Sequence, residues 1–135
     1  MSYKKKIPSS PRIDPQDEPQ NFYIAELVQE CRVEGYATSS VWVNIHIVKA
    51  GSPAEAYAKA SKLGKSHNRK YKAGSEARNA RWIFRGIRDL IPIYEKIEDG
   101  AEVMFEAHER MTEKRIIKML RAKSDILKNI QGAPA

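Results

Sequence analysis

The sequence predicts an α+β fold: an antiparallel sheet of four or five strands in the order β-β-α-β-β-α, with one packed helix and a C-terminal amphipathic helix. Three observations carry this. Two successive segments near the start alternate apolar and polar residues with a period of two. A capped helix start follows them directly. A second alternating stretch then leads into a closing segment whose apolar residues recur at helical spacing.

Residues 1–20 contain Pro8, Pro11, Pro15 and Pro19 and no periodic apolar pattern, so they are expected to be a disordered Pro-rich arm. Residues 21–135 are expected to form a single α+β domain. From Phe22 to Val33, Tyr23, Ala25, Leu27, Cys31 and Val33 fall on one face and Glu26, Glu30 and Arg32 on the other, the pattern of a half-buried strand. Gly35 and Thr38-Ser39-Ser40 supply a loop. Val41 to Ala50 alternates again, and its pattern predicts Val41, Val43, Ile45 and Ile47 inward with Trp42, Asn44 and His46 outward. The two strands are expected to pair as an antiparallel hairpin.

Ser52-Pro53-Ala54-Glu55 marks a helix start, because Ser caps the N-terminus, Pro suits the first helical position and Glu completes a capping box. Its stripe of Ala56, Ala60, Leu63 and Gly64 would let the helix lie close to a sheet. Lys65 to Ala80 then reads as a basic loop turning at Ala73-Gly74-Ser75. Asn79 to Leu90 predicts a strand with Trp82, Phe84 and Gly86 on its buried face, and Ile91 to Ile97 continues it past Pro92. Asp99-Gly100 suits a tight hairpin turn, with Glu102 to Ala107 as the returning strand. A helix over 112–130 closes the pattern, its apolar face made by Ile116, Met119, Leu120, Leu127 and Ile130.

The core from Phe22 to Phe105 resembles a small bacterial family catalogued as domain of unknown function 4288. The residues that carry the resemblance are Tyr23-Ile24-Ala25-Glu26-Leu27 with Glu30-Cys31, Ala50-Gly51-Ser52-Pro53-Ala54-Glu55-Ala56-Tyr57 and Leu63-Gly64. Arg81-Trp82-Ile83-Phe84-Arg85-Gly86-Ile87 and Glu98-Asp99-Gly100-Ala101-Glu102-Val103 complete the series. The resemblance implies a cytoplasmic bacterial domain without an established activity or catalytic residue. It does not account for the Pro-rich arm or the basic C-terminal helix.

Composition excludes several classes. No apolar run approaches the ~18–20 residues of a membrane span, so no membrane partner is expected. The single cysteine, Cys31, has no internal partner for a disulfide and suits a reducing, cytoplasmic setting. His46, His67 and His108 lie on different elements without a second ligand at metal spacing, so neither a metal nor another cofactor is expected. Phosphate-binding glycine loops are missing, and Leu63-Gly64-Lys65-Ser66 falls at a helix end instead of a strand-to-helix turn. No residue is assigned a catalytic role, and a non-enzymatic protein is expected.

Charge is the strongest functional signal. Between Lys62 and Arg88 nine Lys or Arg residues face a single acid, Glu76, a local +8 against +7 for the whole chain. Such a concentration repels itself and attracts anions. The expected anion-binding residues are Lys65, Arg69, Lys70, Lys72, Arg78, Arg81 and Arg85, with Tyr71 and Trp42 available for stacking. The expected function is therefore non-catalytic binding of an anionic partner, nucleic acid first and another polyanion second. The alternatives are a protein-interaction module, such as a bacterial immunity or regulatory inhibitor protein acting on an acidic partner, and a nucleotide-sequestering protein. A homodimer through the C-terminal helix remains a further alternative.

Overall fold

The computed structural model describes the backbone of Lys4–Lys6 and residues 21–130. Of the expected N-terminal arm, only Lys4–Lys6 is described, as a short strand (β1); the rest lies outside the described residues. The chain divides into two compact units, one spanning residues 5–105 and the other drawing its main stretch from Glu106 onward.

The larger unit is a curled four-stranded antiparallel sheet with one helix on it, the α+β class that the residue pattern predicts. β2 (Phe22–Val33) and β3 (Ser40–Lys49) form the expected hairpin. α1 (Pro53–Ser66), β4 (Arg69–Ala73) and β5 (Arg78–Ile93) follow, and the sheet order is β3-β2-β5-β4. The central β2 is thus paired along both edges.

β4 replaces the expected basic loop. Three of its five residues are cations and Tyr71 is its one large apolar residue, so charge hides the alternation of an edge strand. It turns into β5 through Gly74 and Ala77, both at positive φ. The Asp99-Gly100 turn, by contrast, does not join two strands of the sheet. Among the described residues after β5 the only further strand is β6 (Phe105–Ala107), three residues of the expected six.

Two faces follow from the register. Tyr23, Ala25 and Leu27 of β2 point toward α1 and pack with Val48, Ala50, Ala56 and Ala60, flanked by Leu63, Phe84, Ile87 and Leu90. On the other face Ile24, Ile91 and Ile93 form a smaller cluster with Phe22 and Met104. β3 is turned over relative to its sequence pattern. Its partners are Ala25↔His46, Leu27↔Asn44 and Gln29↔Trp42, so the polar residues share the helix-covered face. Val41, Ile45 and Ile47 stay on the uncovered face, each more than half exposed. Apolar content along β3 favours the opposite orientation, but the stronger stripe of β2 decides which face receives the helix.

β5 also departs from simple alternation. The pairing skips between Gln29↔Phe84 and Val28↔Gly86, and again between Leu27↔Ile87 and Glu26↔Asp89. The extra residues at these two bulges are Arg85 and Arg88. A bulge re-aims the side chain it inserts, and both arginines reach acids of β2: Arg85 Nη1 lies 3.2 Å from Glu30 and Arg88 Nε 2.9 Å from the buried Glu26. Consequently Trp82 and Phe84 face α1 as expected, whereas Gly86 moves to the opposite face at φ +145 and Ile87 takes its place.

The capping sequence of α1 works with one shift. Ser52 Oγ accepts from Glu55 N at 3.2 Å, but Glu55 Oε2 accepts from Gly51 N at 3.1 Å, one residue before the cap. Gly64 does not end the helix, which continues to Ser66. A side chain at Gly64 would strike Phe84, so this glycine sets the approach of α1 to β5.

In the second unit the expected helix over 112–130 is two short helices, α2 (Glu113–Met119) and α3 (Lys123–Lys128). The backbone is extended at Leu120 and Ala122, although no Gly or Pro lies between 112 and 130. No residue of either helix is buried. Helices this short draw stability chiefly from packing an apolar face, which removes the reason for one continuous rod. Among the described residues no helix is long and apolar enough to cross a membrane.

Candidate anion-binding site

At the β4 end of the sheet the register brings three cations into one row. Arg32 on β2 pairs with Arg81 on β5, and Arg81 pairs with Lys70 on β4. Adjacent strands lie about 4.8 Å apart, so the row spans about 10 Å of backbone. Like charges directly opposite one another destabilise a sheet. Arg32 is relieved by Glu30, 3.1 Å away. Glu30 also pairs with Arg85, and the Ser39 hydroxyl first, with Arg32 second, holds its carboxyl below the usual range. Arg81 and Lys70 have no ion pair among the described residues. A broad groove of about 1010 Å³ runs past Arg32, Lys70, Lys72 and Arg81, with Tyr36, Tyr71 and the acids Glu30 and Glu34 also in its wall.

The expected site residues therefore separate. Lys70, Lys72 and Arg81 share one face, and Lys72 Nζ donates to Asn79 Oδ1. Arg85 is engaged by Glu30. Arg78 pairs with Glu76 at 2.8 Å, donates to the Glu34 carbonyl and lies over the Tyr36 ring. Lys65 sits in the last turn of α1, apart from the row. Arg69 lies on the opposite face of β4 beside Tyr71, its guanidinium 5.5 Å from that ring centre. The charge-dense run overlooked Arg32, which precedes it by thirty residues. Outward alternation on β2 flags Arg32, but only pairing with β5 delivers it to Arg81.

The helix-covered face has a second concentration of functional groups beyond the end of α1. Trp42 and Trp82 contact each other with ring centres 4.9 Å apart at 59°. With Gln29, Asn44, His67 and Arg69 they line a pocket of about 230 Å³. Tyr71, expected to stack a base, instead hydrogen-bonds Cys31 with Oη and Sγ 3.0 Å apart; that bond first, and burial second, push its phenol up. Cys31 and His46 share this face, but their β2 register positions are six residues apart, about 20 Å along the strand. They do not form a nucleophile–base pair. Among the described residues no group of three or more His, Cys, Asp or Glu is arranged to hold a metal ion.

His46 and His67 lie with ring centres 5.5 Å apart. Desolvation first, and the charge of His67 second, hold His46 below its ordinary value of 6.5. The unfolded chain protonates His46 as pH falls through that value, while the folded chain resists until a lower pH. The neutral ring's contribution to stability is therefore complete above about pH 6.5 and is lost on acidification toward the depressed value. Thermal midpoints measured from about pH 7 to about pH 5 should fall less in His46→Gln than in the parent chain. Parallel profiles in the two proteins would remove His46 as a source of the pH dependence.

The family model described as Domain of unknown function (DUF4288) matches residues 22–105, from the first residue of β2 to the first residue of β6. The comparisons returned no match among curated proteins and none among solved structures.

Proposed function

The chain belongs to the DUF4288 family, whose description assigns no function, and from that premise we propose that it is a non-catalytic cytoplasmic protein that binds nucleic acid through the Arg32–Arg81–Lys70 row. The observation that carries this reading is the row itself, with two of its three cations lacking an ion pair among the described residues. An anion laid across the strands relieves the repulsion that folding builds in. Phosphates fit this role: Arg presents a planar fork and Lys a point charge, while Lys72 extends the positive surface along β4.

A sheet surface with cations about 4.8 Å apart across strands follows a flexible backbone more readily than a rigid duplex, so a single strand is the favoured form. Affinity for a labelled oligonucleotide should fall steeply with salt as condensed counterions are released. For single strands the logarithmic slope is about 0.7 per phosphate contact, so Lys70→Ala/Arg81→Ala should reduce it by about 1.4. The variant should remain folded, because both positions are exposed. Absence of oligonucleotide binding near physiological salt, or an unchanged slope in the double variant, would sink this reading.

A second reading is a protein-interaction module, such as an inhibitor of an acidic partner. The exposed Val41, Ile45 and Ile47 on β3 favour it. Its distinguishing result is no affinity for oligonucleotides or nucleotides, together with binding to an acidic protein that weakens in Ile45→Asp.

A further inference from the structure

Gln29 is only 2% exposed, and the orientation of its amide is fixed. Its Nε2 donates to the Gly64 carbonyl at 3.3 Å, an oxygen that can only accept. The amide cannot turn over without setting two acceptors against each other. Oε1 therefore stays on the other side, buried and without a hydrogen-bond partner among the described residues. Leaving such an acceptor unmet is costly to a fold. Gln29 belongs to the lining of the pocket that also holds Trp42 and Trp82, so a donor pressed into that pocket can meet this need once the walls covering Oε1 part slightly.

The remaining walls narrow the identity of the donor. Trp42 is 57% exposed, while Trp82 beneath it is half-buried, which leaves one indole as an open stacking face at the mouth. None of the lining residues is acidic, and the exposed Arg69 supplies a positive charge at the rim. At about 230 Å³ the pocket falls below the roughly 300–1,000 Å³ typical of drug-sized ligands, and suits one planar ring system.

We propose that this pocket binds a nucleobase with its attached phosphate: an N–H of the base donates to Gln29 Oε1, the ring stacks on Trp42, and Arg69 meets the phosphate. The same chemistry can arrive as a free nucleotide or as an unpaired base of a single strand. The pocket lies on the opposite face from the Arg32–Arg81–Lys70 row, so it stands or falls separately from nucleic-acid binding there.

The chain has two tryptophans and both line the pocket, so intrinsic fluorescence reads occupancy directly. The full chain would be titrated with the four common nucleoside 5′-monophosphates, the matching nucleosides, inorganic phosphate and a short single-stranded oligonucleotide. Saturable one-to-one quenching by a monophosphate identifies a free nucleotide; quenching by the oligonucleotide alone identifies a base within a strand. Gln29→Leu should weaken either at least tenfold. Arg69→Ala should weaken the phosphorylated ligand and leave the nucleoside unchanged. Trp42→Ala, at an exposed position, should also weaken binding while the fold is retained, and Trp82 remains as reporter. Quenching by none of these ligands overturns the proposal, as does quenching that survives both Gln29→Leu and Trp42→Ala. Oligonucleotide binding lost in Lys70→Ala/Arg81→Ala but retained in Gln29→Leu, with no quenching by any monophosphate, also overturns it and leaves the cation row as the site.

Discussion

Leu27→Ala is expected to destabilise the protein by about 2–5 kcal/mol, the range for truncating a buried leucine. Leu27 is fully buried at the middle of the central strand. It lies under α1 among Tyr23, Ala25, Val48, Ala56 and Ala60. The alanines of α1 cannot move inward to fill the space, because their helix already rests close to the sheet. Denaturant unfolding should show a lower midpoint with little change in slope. A loss below about 1 kcal/mol would mean that the helix resettles over the smaller side chain, and that the interface is softer than its close approach implies.

Gly64→Ala should also destabilise, against the direction that helix propensity gives. An alanine inside a helix ordinarily gains about 1 kcal/mol over glycine. Here the added Cβ would stand 2.4 Å from Cδ1 and Cε1 of Phe84 and 2.8 Å from its Cγ. Those atoms belong to a stiff ring packed against the core, so either the ring or the helix must shift. Overpacking of this kind costs about 1–3 kcal/mol, enough to reverse the propensity gain in most of that range. Phe84→Leu should lessen the penalty, giving a favourable coupling in a double-mutant cycle. If Gly64→Ala raises the thermal midpoint, α1 does not lie as close to β5 as described. The substitution also acts on the pocket lined by Trp42 and Trp82, because the Gly64 carbonyl anchors Gln29.

Where local pattern and tertiary pairing agreed, the sequence was sufficient. The span of β2, the hairpin to β3, the capped start of α1 and its small-residue stripe were all legible from short stretches. β3 shows the limit: Val41, Val43, Ile45 and Ile47 form an apolar stripe on their own, but β2 fixes the covered face by pairing Leu27 with Asn44. In β5 the two bulges insert arginines, and an inserted residue is indistinguishable from an alternating one until its partner strand is known. β4 was hidden because cations dominate its five residues.

The site divides in the same way. A dense run of cations marked Lys70, Lys72 and Arg81, while Arg32 needed the β2–β5 register and Arg78 and Arg85 proved to be engaged by acids. Gln29 gave no signal in the sequence. One glutamine in a strand becomes notable only when its amide is buried with one end satisfied.

The central position of β2 has a consequence for synthesis on the ribosome. β2 can close with β3 as soon as the intervening loop emerges, and α1 can cover that hairpin soon afterwards. Its other edge must wait for partners about 50 to 70 positions downstream, from Ala80 to Ile93. During that interval the nascent chain presents an open row of backbone donors and acceptors along its most apolar strand, the kind of edge that recruits foreign strands. Slow decoding between α1 and β5 would lengthen this exposure. The yield of soluble protein should therefore depend on codon choice there more than in the segment after β5.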